Sequence, residues 1–108
     1  KRPEKAIAYD TPELRMKLDD AGGVELSIVV AGARRDLGQA EAAVRLLETE
    51  SLHTPSRAPW VARLRYAYAD ALLDAGRTED AVEWFHRTVA VDGESLTDAS
   101  ERLSQLGA

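Results

Sequence analysis

The sequence predicts an all-α protein built from antiparallel helix hairpins. Three observations point there. Apolar residues recur at helical spacing, most clearly over residues 59–75 and 78–91. Glycines close two of the apolar runs, at Gly38 and Gly76. The turn around the first of these glycines is written again 38 residues later around the second.

In chain order, Pro3 to Tyr9 reads as the tail of a helix, and Thr11-Pro12 opens a short turn or helix to about Leu18. Asp20-Ala21-Gly22-Gly23 reads as a break. From Glu25 to Leu37 the β-branched run Ile28-Val29-Val30 suits a strand as well as a helix. However, Leu26, Val30, Ala33 and Leu37 fall at i, i+4, i+7 and i+11, and Gly38 follows, so a helix is expected. Another helix is expected from Ala40 to about Leu52, followed by a loop over residues 51–56. Pro59 suits a first helical turn, where its missing N–H has no intrahelical partner, and this helix carries Val61, Leu64, Tyr68, Ala71, Leu72 and Ala75 to Gly76. Thr78 reads as an N-cap, with Glu79 and Asp80 in the positive first turn of a helix reaching Val91. Asp92-Gly93 breaks it. A last helix aligns Ala99, Leu103 and Leu106, with Ser95 or Thr97 as its expected cap.

Composition narrows the function. At 108 residues, 44% apolar and 31% charged, the chain has the balance of one folded domain. It has no cysteine, which removes disulfides, thiolate metal sites and thiol nucleophiles together. A net charge of −5 argues against a nucleic-acid backbone binder, which needs clustered Lys and Arg. The longest apolar run, Ile28-Val29-Val30-Ala31, is far short of the roughly 18 residues that cross a bilayer. No membrane association is expected, and the default location is the cytoplasm.

The two glycine turns agree in detail. Each has an acidic residue two before the Gly (Asp36, Asp74), an Ala five after it (Ala43, Ala81) and a large apolar residue nine after it (Leu47, Phe85). Seven before each Gly stands Ala31 or Ala69, and a step back from Gly38 reaches Lys1, with Ala6 five beyond. This pattern resembles the tetratricopeptide repeat (TPR) family. The resemblance implies a short right-handed TPR-like solenoid: a partial repeat over 1–23, repeats over 24–57 and 58–95, and a capping helix over 96–106. Pro55 stands where the family often ends a repeat, whereas the places of its early Trp hold Ser27 and Arg65. The spacing of 38 residues is longer than the family's usual period. A start inside a repeat implies further repeats in a longer parent protein.

Candidate chemistry is sparse. His53 and His86 are the two histidines, and neither has a partner at metal-ligand spacing. The acidic pairs Asp19-Asp20, Glu48 with Glu50, and Glu79-Asp80 read as caps and polar faces and not as an acid–base pair. Gly22-Gly23 lacks a phosphate-loop context, and no serine stands in an elbow motif. Arg34-Arg35 and Arg57, Arg63 and Arg65 read as solvated surface or as contacts for an acidic peptide. No catalytic residue, metal or cofactor is expected.

Tyr68 and Phe85 are expected in the core, and Trp60 against the preceding loop. Tyr66 falls on the other side of its helix from Tyr68, in one stripe with Arg63, Asp70 and Leu73. The matching stripe one repeat earlier includes Glu25, Ile28 and Arg35. In the resembling family such a stripe lines the concave groove that holds partner peptides, and Tyr with Arg makes typical anchors. The resemblance therefore implies a non-enzymatic protein or peptide scaffold bound through Arg63, Tyr66, Asp70, Leu73, Ile28 and Arg35. It lacks the Lys and Asn pairs of the family's carboxylate clamps. An accessory helical domain of a larger enzyme or regulator, with no groove of its own, is the competing expectation. An apolar N-terminal flank also leads us to expect a homodimer at high concentration.

Overall fold

The computed structural model describes residues 2–108; Lys1, and with it the earliest turn position of the repeat, lies outside them. Among the described residues every regular element is a helix. There are seven: α1 (Pro3–Ala8), α2 (Pro12–Met16), α3 (Asp20–Asp36), α4 (Ala40–Glu48), α5 (Pro59–Asp74), α6 (Thr78–Val91) and α7 (Ala99–Gln105). The β-branched stretch at Ile28 is helical: Val30 is buried with Val24, Ala31 and Ala33, Ile28 is half-buried, and Val29 faces solvent. None of the helices is long and apolar enough to cross a membrane, among the described residues.

α3 and α5 end in the same way. Leu37 and Ala75 are the C-caps, and Gly38 and Gly76 follow at φ +76° and +79°, in the left-handed region that penalises any side chain. Gln39 N–H then reaches back to the Arg34 carbonyl at 2.8 Å, and Arg77 N–H to that of Leu72 at 2.9 Å. A third such ending, unforeseen from the sequence, closes α7 at Gly107, where Ala108 N–H bonds to the Leu103 carbonyl. An ideal Cβ on Gly76 meets nothing within 4 Å. Gly76→Ala should thus cost only backbone strain, about 1 kcal/mol. A urea titration would read this as a lower midpoint at unchanged slope.

Four expected boundaries move. Gly22-Gly23 is no break: α3 begins at Asp20, because Asp19 caps it by accepting from Gly22 N–H at 2.7 Å. A Cβ on Gly22 would come within 3.0 Å of that same carboxylate oxygen, so the glycine makes room for the cap. Thr78 is the first residue of α6 and not its cap; Arg77 takes the cap position without a side-chain hydrogen bond. Asp98 precedes α7 in place of Ser95 or Thr97, although the Thr97 hydroxyl still accepts from Ala99 N–H at 3.3 Å. α4 also stops at Glu48, short of Leu52, and the following loop folds inward to bury Leu52.

The packing runs in sequence. α3 lies against α1, α4 and α5; α5 lies against α3, α4 and α6; α6 carries α7. Between them is one core in which Ala43, Leu47, Leu64, Ala69, Ala71, Leu72, Ala81 and Phe85 have no exposed surface. Tyr68 belongs to it as expected, its hydroxyl donating to Glu48 at 2.6 Å. Burial and the adjacent Glu48 carboxylate push the Tyr68 hydroxyl well above its ordinary range, so it stays a donor. Trp84 also joins the core, edge-on to Tyr68 at 5.1 Å.

Arg65 departs from the solvated reading. It is only 9% exposed, and its guanidinium donates to the carbonyls of Leu52, Thr54 and Arg87 at 3.0, 3.2 and 3.3 Å. Burial, with Arg87 nearby, lowers its affinity for the proton, and the three carbonyl dipoles hold the buried cation. Ser27, its counterpart in the repeat, is fully buried and donates to Glu50 at 2.5 Å while accepting from Arg15 at 2.9 Å. Both positions thus fasten a loop to the helix pair. Glu48 and Glu50, read from sequence as a polar face, are the acceptors for buried hydroxyls.

Arg15 forks onto Asp10 at 2.7 and 3.0 Å, and this hydrogen bond holds the Asp10 carboxyl below its ordinary value of 3.8, against a smaller opposing effect of burial. Burial pushes the Asp92 carboxyl up, yet bonds from Thr97 and from two backbone N–H groups hold it below that value. A carboxyl depressed in the folded state stabilises above its unfolded pKa and loses that contribution as pH falls through the folded one. Thermal stability should therefore fall once the pH drops below about 4, and Asp10→Asn should flatten that acid limb in a melting series.

Candidate functional site

The six residues singled out from sequence lie on the alternate helices α3 and α5, where Arg35 and Asp70 pair with each other and Arg63 and Tyr66 bond to residues outside the six. Arg35 of α3 reaches Asp74 at 2.6 Å and Asp70 at 3.2 Å on α5. The other oxygen of Asp70 accepts from Arg102 of α7 at 2.7 Å. Arg102 also donates to the Tyr66 hydroxyl at 2.8 Å, and Tyr66 in turn donates to Asp98. Arg63 and Glu25 join α5 to α3 further along, at 2.5 Å. Ile28 and Leu73 are half-buried and pack against the core.

Arg102 and Asp98 were not singled out from sequence. Their i, i+4 spacing was visible, but nothing in the repeat indicated that α7 would lay them over Tyr66. The Arg102 guanidinium also lies 5.7 Å from the Tyr66 ring centre and 5.0 Å from that of Phe85, while Tyr66 stands edge-on to Phe85 at 5.5 Å. The polar face is therefore anchored directly on the core.

Charge here is fixed. The hydrogen bond to Asp70 leads the effects that raise Arg102 far above its ordinary range, and burial only partly opposes it. For Arg35, burial works against the charge, but the carboxylates of Asp74 and Asp70 together more than restore it. Burial, and then donation to Asp98, raise the Tyr66 hydroxyl, which stays protonated at neutral pH. Arg35 and Arg102 therefore stay charged and Tyr66 stays a hydroxyl donor near neutrality.

Asp70 is the hub, with two guanidiniums on one half-buried carboxylate. Asp70→Asn removes the charge from both contacts while keeping the shape. Because the three side chains keep 19–26% of their exposure, solvent screening limits the loss to about 1 kcal/mol. Chemical denaturation should show this loss shrinking at high salt.

Both histidines are exposed, and His53 stands edge-on to Trp84 at 5.2 Å with Arg87 over the same indole at 4.6 Å. No group of three or more His, Cys, Asp or Glu among the described residues is arranged to hold a metal ion.

The fold and this charged face define a class no finer than an all-helical protein with ionic cross-links between alternate helices. No family model, curated protein or solved structure matches the chain.

Proposed function

We propose that the chain is a non-enzymatic TPR-like scaffold that holds a protein or peptide along the face formed by α3, α5 and α7. The observation that carries this reading is the register shared by the two hairpins. A shift of 38 residues takes Gly38 onto Gly76 and both C-caps onto each other, and Asp36, the last residue of α3, falls on Asp74, the last of α5. It also takes buried Ala31, Ala43 and Leu47 onto buried Ala69, Ala81 and Phe85. Helices that repeat in register present equivalent stripes to one side, the arrangement from which repeat proteins build extended binding surfaces. On that face the Arg63–Glu25 and Arg35–Asp74 pairs are exposed enough for each to contribute at most about 1 kcal/mol. An incoming charged peptide can exchange them at little cost, and Ile28 and Leu73 offer apolar contact between them.

The internal pairing of Arg35, Asp70 and Tyr66 favours a second reading, in which the face is closed and the domain supports a larger enzyme or regulator. Selection from a displayed peptide library, followed by mapping of amide chemical shifts, separates the two. The scaffold reading expects selected peptides to shift residues around Arg35, Arg63, Tyr66 and Asp70, and Arg63→Ala to weaken them. Selected peptides that all map elsewhere, or none, support the accessory domain.

A further inference from the structure

A second surface lies away from the proposed partner face. Ile7 of α1, Val30 of α3, and Ala42 and Leu46 of α4 floor a groove of about 510 Å³. Val30 lies on the far side of α3 from Ile28, and Arg34 is turned about 100° from Arg35, since successive helical residues turn by about 100°. Two arginines rim the groove, Arg34 and Arg45. Among the described residues, the Arg34 side chain bonds only to the neutral side chain of Gln39, at 2.8 Å, and exposed Arg45 has no side-chain hydrogen bond or ion pair. The third charged residue there, Asp10, is committed to Arg15. Elsewhere Arg15, Arg35, Arg63, Arg77, Arg87 and Arg102 lie within ion-pair distance of carboxylates, and Arg57 and Arg65 donate to backbone carbonyls. On a chain of net charge −5, this groove sets two arginines without a carboxylate partner among the described residues over an apolar floor.

The complementary shape is on the same chain. Between α6 and α7 the turn 92–97 presents Leu96, 52% exposed, two residues from exposed Glu94. The turn is pre-formed. Asp92 accepts from the Leu96 and Thr97 N–H groups at 2.7 and 2.8 Å and from the Thr97 hydroxyl at 2.7 Å, holding Ser95 at φ +53°. A leucine on a rigid acidic turn loses little conformational freedom on docking.

We propose that this chain associates head to tail with a second copy of itself, the Leu96 turn of one copy entering the Arg34–Arg45 groove of the next with Glu94 facing the guanidiniums. The contact is heterologous, so it propagates into open chains instead of closing as a symmetric pair. A contact made through one leucine and one carboxylate should be weak and concentration-dependent, and it should weaken further as salt rises.

The test is sedimentation velocity over a concentration series, with wild-type protein and the variants Leu96→Asp and Arg45→Glu, both at exposed positions. Wild type should grow past dimer as concentration rises, and each variant alone should lose at least tenfold in affinity. Leu96→Asp keeps the groove and Arg45→Glu keeps the turn, so an equimolar mixture should recover a heterodimer that grows no further. Wild type that stays monomeric at millimolar concentration overturns the proposal, and so does a variant that associates like wild type. Wild-type association with only monomers in the mixture overturns it too, since the contact then does not join these two surfaces.

Discussion

Phe85→Ala should cost about 3–5 kcal/mol, the largest effect of any single substitution considered for this protein. The ring has no exposed surface, and it supports the core and the polar face together. Tyr66 stacks edge-on to it at 5.5 Å, and the Arg102 guanidinium lies 5.0 Å from its centre. Truncation leaves a cavity and also removes the platform on which the Tyr66–Arg102–Asp70 cluster rests. A domain of this size commonly holds about 5–15 kcal/mol, so the variant should stand near the edge of unfolding at ambient temperature. Phe85→Leu keeps most of the volume and should cost less than about 1.5 kcal/mol. Urea denaturation of both variants checks the prediction, and a loss below about 1 kcal/mol for Phe85→Ala would show that the core closes without this ring.

How far the fold could be read from sequence depended on the range of the interaction responsible. Gly38 and Gly76 act within their own helix ends, so their spacing announced the two turns directly. Pro59 likewise marked the start of α5 by local geometry alone. The expected break at Gly22-Gly23 failed because two glycines usually weaken a helix, whereas here the Asp19 cap and the burial of Val24 and Ser27 outweigh that preference. Arg65 was misplaced for a different reason: its three acceptors are carbonyls of Leu52, Thr54 and Arg87, and a carbonyl leaves no trace in residue identity. The candidate face was half readable. Arg35, Tyr66 and Asp70 fall at stripe positions, but Arg102 joins them only once α7 is docked, and no pattern within seven residues of helix specifies that docking.

Ala69→Leu is expected to cost about 1–3 kcal/mol by overpacking, and Ala81→Leu a similar amount. Both alanines have no exposed surface, on α5 and α6, in the one core. A β-carbon with nothing beyond it lets two helix backbones approach, and a leucine there must displace either its neighbours or the helix. Exposed Ala90 of α6 is the control, and Ala90→Leu should stay within about 0.5 kcal/mol of wild type. The double variant discriminates further. If the two alanines face one shared crossing, the first leucine already forces the helices apart and the second finds part of the space made. The pair should then cost less than the sum of its members, by about 0.5 kcal/mol or more. Strict additivity would place Ala69 and Ala81 at separate contacts. The agreement between the Gly38 and Gly76 hairpins would then reflect turn chemistry alone, without the close helix approach on which a stack of repeats depends.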